Sequence, residues 1–199
     1  DLSTWEMSGP FMGGDFGSAF VTAFGPERLA VGENVALNGK ARQSSTSNDA
    51  PASLAIDGNS SGKFEDKTVT HTKNPDDQSP WWEVALAEPT DVTQVVIWNR
   101  AEAPERLSAF RVLALDAERK PLFEKDLFAD GKGSPKADEG FAVPVEANGK
   151  VSVVRIELLP LDSRKAPILS LAEVQVFTRS DVGEAAEVKW EARPEWNDG

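Results

Sequence analysis

The sequence predicts an all-β fold, an antiparallel β-sandwich or jelly roll, and three observations carry that prediction. Short runs rich in β-branched and aromatic residues recur through the middle of the chain: WWEVAL, DVTQVVIWN, FRVLAL, VSVVRIELLP and LAEVQVF. Gly, Pro, Asn and Asp cluster between them, as turn chemistry requires. No stretch sustains the 3.6-residue period of an amphipathic helix, and no segment repeats.

Composition bounds what such a fold can do. With 199 residues, 40% apolar and 27% charged, the chain can bury one proper core. A net charge of -12 opposes a nucleic-acid backbone or an anionic membrane surface, so a neutral ligand is the expected partner. No apolar run approaches the roughly 20 residues of a membrane helix, and membrane insertion is not expected. No signal segment opens the chain, so an exported protein would carry its signal upstream. The absence of cysteine excludes a disulfide scaffold, a thiol nucleophile and a cysteine zinc site.

Taken in order, residues 1–29 are rich in Gly and Phe with SGPF and FGPE as turns, too little for a core of their own. Residues 30–179 hold the predicted strands, interrupted at 128–140 by FADGKGSPKADEG, a loop by composition. Residues 180–199 contain one short alternating stretch from Val188 to Trp190 and stop at Pro194. The two flanks are expected to pair with each other, which would make the middle an insertion. Trp81, Trp82 and Trp98 lie in strand-like runs and are expected in the core.

Chemistry concentrates around HTKNPDDQSPWWEV, which contains the only histidine, His71. A lone histidine beside tryptophans is by itself more often structural, and Arg100 and Arg106 can equally pair with Glu102 and Glu105 on a solvated loop. NVALNGKARQSS, LAIDGN, HTKNPDDQSPWWEV, the arginines of WNR and PERLSAFRV, and LAEVQVF change that balance. In this order they resemble the blocks of the F-type, fucose-binding lectins, members of the wider discoidin, or coagulation-factor C-type, jelly rolls, over about residues 31–178.

That resemblance implies a discoidin-like jelly roll that binds L-fucose or a fucose-like sugar on a glycan or polysaccharide. His71, Arg100 and Arg106 match the positions that grip the sugar, and Phe64 is placed as an apolar platform beneath it. Such residues suit the task, because a guanidinium fork bridges vicinal hydroxyls and an imidazole adds a stiff donor or acceptor. One block departs from the family. Its classical members carry adjacent cysteines between the two arginines, whereas this chain has AEAPE, apparently one residue shorter, with Ala103 and Pro104 as the available apolar contacts.

The same resemblance implies a structural calcium ion (Ca2+). Asp57 and Glu173 match the side-chain ligands, with Leu54, Asn59, Thr68 and Ala172 contributing carbonyls, an oxygen-rich set of the kind calcium takes. The plainer alternative makes Asp57 the cap of an Asx turn and Glu173 an exposed strand residue. GNSSGK lacks the spacing and the hydroxyl of a phosphate loop, and the NSS sequon at Asn59 falls on the calcium turn.

No nucleophile or cofactor motif appears, so catalysis is not expected. The flanks resemble, weakly, pieces of large exported bacterial proteins with cytochrome c modules. The expectation is therefore an exported sugar-targeting module working beside other domains of a parent protein. Its rival is a structural or protein-interaction domain that kept the fold and lost the sugar.

Overall fold

The computed structural model describes residues 31–179, apart from residue 75 and residues 165–166. The expected pairing of residues 1–29 with 180–199 lies outside the described residues. Within them nine strands run as β1 (Val31–Asn34), β2 (Lys40–Gln43), β3 (Trp81–Thr90), β4 (Val92–Asn99), β5 (Phe110–Leu115), β6 (Pro121–Leu127), β7 (Phe141–Pro144), β8 (Val151–Leu158) and β9 (Leu171–Arg179). A four-stranded sheet has the order β1-β9-β4-β7, and a five-stranded sheet the order β2-β3-β8-β5-β6. All neighbours are antiparallel. The expected all-β sandwich is the fold found.

Alternation explains the layers. Val95, Ile97, Val174 and Val176 of one sheet face Trp82, Val84, Phe110, Val112, Val154 and Ile156 of the other, and together they form one buried core. The residues between them in sequence point outward. Trp82 is fully buried and donates its indole N–H to the Ala52 carbonyl at 2.9 Å.

Its two fellow tryptophans correct the expectation. Trp81 faces outward beneath the Arg155 guanidinium, 4.2 Å from its ring, and Trp98 is half-buried with its N–H on Gln175 at 3.3 Å. Odd and even positions of one strand cannot share a face, so adjacent Trp81 and Trp82 had to divide.

β2, β6 and β7, absent from the predicted set, are edge strands. Edge strands bury little and tolerate proline and charge, which is why KARQ and PLFEKDL lack an apolar signature.

Candidate functional site

The loops after β2, β4 and β8 emerge at one end of the sandwich, where Gln43 pairs with Trp82, Trp81 with Glu157, and Asn99 with Leu171. The β2–β3 loop is anchored to the loop preceding β9 and to the start of β9. Thr70 N and Thr72 N donate to the Leu171 and Leu169 carbonyls at 2.9 and 3.1 Å. The Leu171 and Leu169 amides return bonds to the two threonine hydroxyls, both at 2.9 Å. His71 sits between these clamps, its own N–H on the Ala50 carbonyl at 3.2 Å, so its ring position is over-determined by the backbone.

His71 is 8% exposed. Its Nδ1 lies 2.7 Å from the Thr72 carbonyl. A carbonyl only accepts, so Nδ1 carries the proton and Nε2 presents a lone pair. Burial pushes the imidazole below its usual pKa, opposed by the Thr72 bond and aided by the charges of Arg106 and Arg100. Both guanidiniums are thus near enough for their charge to bear on the imidazole.

Phe64 completes the group. Its ring centroid is 5.6 Å from that of His71, and the Arg100 guanidinium stacks 4.2 Å from the Phe64 ring. One face of Phe64 is therefore taken by Arg100, which leaves the other face or the edge for an apolar ligand surface.

Arg100 also pairs through Nε with Glu102 at 3.3 Å, as the plainer sequence reading allowed. Arg106 differs. It is half-buried, its guanidinium makes no hydrogen bond or ion pair with any described residue, and it is held below its usual pKa by burial and by Arg100, against Glu105. A desolvated guanidinium without an acceptor is a group with hydrogen bonds to give.

Two organising roles were not read from the sequence, that of Asn99 and, beyond its pairing with Arg100, that of Glu102. Asn99, 1% exposed at the end of β4, donates to the carbonyls of Pro104 at 3.0 Å and Pro135 at 2.7 Å. It also accepts from Arg100 N at 2.8 Å, and so fixes the turn that carries both arginines. Glu102 accepts from Phe64 N at 3.1 Å while holding Arg100, and so ties Phe64 to Arg100. Asn99 was legible only as an asparagine directly before a site arginine. Gly62 permits the approach of these loops, because a Cβ there would lie 2.7 Å from the Asn99 carbonyl oxygen.

Of the candidate metal residues, Asp57 and Glu173 come close to each other. Glu173 on β9 is fully buried, which overturns the exposed-strand alternative. Its Oε1 accepts from Gly58 N at 3.2 Å, while Oε2 has no hydrogen-bond partner among the described residues. Burial, and then the nearby Asp57 charge, push its carboxyl up to about 7.

Asp57 follows the 3-10 turn Ala52–Ile56 that contains Leu54, and it accepts from Asn59 N at 2.8 Å, so the Asx turn exists beside the carboxylate pair. Thr68 is buried with its hydroxyl on the Ser61 carbonyl at 2.7 Å. Ala172 adjoins Glu173 where the β4–β9 register slips between Trp98 and Asn99. Among the described residues no three His, Cys, Asp or Glu side chains converge on one point. A cation here would need carbonyl oxygens as well, which is the donor set of calcium.

Comparison with known proteins sets this geometry in context. The family described as "NedA-like, galactose-binding domain" matches residues 54–136. Fucolectin-1 of Anguilla japonica is 40% identical over 89 residues, which are 42% of this chain and 49% of that protein. The chain thus spans about half the length of the curated relatives it matches. A Streptococcus pneumoniae fucose binding module is 33% identical, with a TM-score of 0.62, covering 74% of this chain and 99% of that one. The lectin domain of Lectinolysin, solved with Lewis b antigen, is 29% identical with a TM-score of 0.63, covering 74% of this chain and 98% of that one.

Proposed function

The chain belongs to the F-type, discoidin-like lectin domains, and from that premise we propose that it is a carbohydrate-binding module for terminal L-fucose or a fucose-like sugar. The observation that carries this reading is the convergence of His71, Arg100 and Arg106 beside Phe64. A neutral sugar offers hydroxyls and one apolar patch. The lone pair of His71 Nε2 accepts from one hydroxyl, the open donors of Arg106 and Arg100 reach oxygens on its neighbours, and Phe64 takes the C–H face. The similar fucolectin and pneumococcal module, both named for fucose, support the choice of sugar.

A scaffold that had lost its ligand has no reason to keep Arg106 half-buried without an acceptor, so the convergence favours the lectin over the structural-domain reading. The reading involves no catalytic step.

Calcium belongs to the same proposal. The buried Glu173 oxygen without a partner, the adjacent Asp57 and the slipped register at Ala172 fit the ion, with Leu54, Asn59 and Thr68 as further carbonyl donors. When bound, the ion would supply charge balance for the two carboxylates. Asp57 and Glu173 would then fasten the loop leading to Phe64 and His71 onto β9 and lower the ordering cost of sugar binding. An exported location and a role in targeting a larger protein complete the proposal.

Calorimetric titration of the calcium-loaded protein with L-fucose, and with galactose for comparison, tests the reading. Saturable binding of L-fucose is expected, with Arg106→Ala weakening it about 10- to 100-fold, the range of a charge-assisted hydrogen bond. Undiminished binding by Arg106→Ala would overturn the site.

A further inference from the structure

Among the described residues an Asn or Asp stands directly before a glycine in four places: Asn38–Gly39, Asp57–Gly58, Asp130–Gly131 and Asn148–Gly149. Such pairs are chemically labile. The glycine nitrogen can attack Cγ of the preceding side chain, and no Cβ of its own hinders the approach. Attack needs that nitrogen unengaged and its surroundings open.

In three of the four pairs the fold withholds the nitrogen. Gly39 N–H donates to the Ala36 carbonyl at 2.9 Å, closing the 3-10 turn Val35–Asn38, and the residue packs against Val84. Gly58 N–H donates to Glu173 Oε1 at 3.2 Å, and Gly131 N–H to the Phe128 carbonyl at 2.8 Å. Gly149 differs, because its N–H makes no hydrogen bond with any described residue. It lies with Asn148 in the exposed connection from β7 to β8, at a φ of +135°. A Cβ placed there would meet nothing closer than a Leu122 methyl group at 3.6 Å, so the nitrogen is uncrowded as well as unengaged.

We propose that Asn148 is a site of spontaneous covalent modification, converted through a cyclic imide to aspartate and isoaspartate. The Gly149 nitrogen bonds to Asn148 Cγ, the Cγ–Nδ2 bond breaks, and ammonia leaves with the proton of the attacking nitrogen. Water then opens the ring. Attack at Cγ restores the main chain and leaves aspartate, whereas attack at the main-chain carbonyl leaves isoaspartate, with the chain running on through the former side chain. Either product adds a negative charge beside Lys150, whose Nζ pairs with Asp91 at 2.6 Å. Isoaspartate also lengthens the chain just ahead of Val151, where β8 begins its pairing with β3 at Thr90. That is the end of the β3–β8 ladder away from Trp81 and Glu157, so the modified turn lies at the opposite pole from the basic cluster.

The test incubates the full chain in mildly alkaline buffer, folded and in concentrated urea, and follows Asn38 and Asn148 by peptide mapping that separates aspartate from isoaspartate. In the folded protein Asn148 is expected to convert to both products about tenfold faster than Asn38, whose glycine must first give up its hydrogen bond. In urea both pairs lose their surroundings, and the two rates should come within about twofold of each other. The exposed Asn148→Gln variant should lose the first acidic isoform that isoelectric focusing detects in the unmodified protein. Asn38 keeping pace with Asn148 in the folded protein would overturn the proposal, as would a tenfold ratio that survives urea, since the fold would then not be selecting the site. Aspartate formed without isoaspartate would overturn the route through Gly149, because direct hydrolysis of the amide bypasses the ring.

Discussion

His71 concentrates the chemistry of the site in one ring nitrogen. Its Nδ1 proton is committed to Thr72, so Nε2 accepts from the ligand only while the ring is neutral. Burial first, and then Arg106 and Arg100, outweigh the Thr72 bond and lower its pKa from 6.5. Affinity for L-fucose should therefore stay level from pH 8 down to 6.5 and fall on the acid side, with a midpoint below the 6.5 of a free imidazole. Folding follows the same sign: the neutral ring's contribution is whole above the unfolded pKa and is lost as pH falls through the lowered one. Titrations between pH 5 and 8 check this, with His71→Gln as control, because its amide keeps an acceptor that does not titrate. A midpoint at or above the free value would mean that Nε2 is not the acceptor.

At the level of elements, the β2–β3 loop depends on β9. Asp57 and Glu173 approach each other across 116 residues of sequence, and without a cation their like charges oppose the contact that closes the loop. Calcium should raise the melting temperature of the unmodified protein, and a chelator should reverse the rise. Asp57→Ala should remove that dependence and melt lower than the unmodified protein when calcium is present, as scanning calorimetry in both buffers would register. Identical curves with and without chelator for the unmodified protein would overturn the metal assignment. The elements also mark what the sequence could disclose. Central strands such as VSVVRIEL were legible because they are buried on one face and alternate. The edge strands KARQ and PLFEKDL were not, because their partners supply hydrogen bonds without burying side chains. The blocks that carry His71, Arg100 and Arg106, which the fold brings near one another, were legible in order. The roles of Asn99 and Glu102 were not, since each depends on a partner brought close only by folding, Pro135 for one and Phe64 for the other.

Across the whole molecule, function and stability divide between the loop end and the outer face of the five-stranded sheet. On that face Glu83, 1% exposed, accepts from Arg42 and Arg119, both at 2.6 Å, and from Arg155 at 3.2 Å. Those arginines come from β2, the β5–β6 turn and β8, so one carboxylate on β3 bridges three of the sheet's five strands and the turn that joins the other two. Burial alone would raise its pKa, but the bonds and charges of Arg119 and Arg42 outweigh it and hold the carboxyl below 4.5. Surface ion pairs are worth about 0–1 kcal/mol and breaking a fully buried pair costs about 3–5 kcal/mol; here the carboxylate is buried but Arg42, Arg119 and Arg155 stay 64%, 44% and 21% exposed, so the charges left behind remain solvated and the cost falls between the two. Glu83→Ala should therefore destabilise the fold by about 1–3 kcal/mol in urea unfolding at pH 7. A depressed carboxylate contributes stability above its unfolded pKa and loses it as pH falls through the folded one. The difference between the two proteins should accordingly narrow below pH 4.5. L-fucose affinity should be unchanged, since Glu83 points away from the core and lies outside the loops that build the grip. A loss under about 1 kcal/mol would show that the three arginines behave as independent surface pairs. A matching loss of sugar affinity would show that the sheet face and the loop end are energetically one unit.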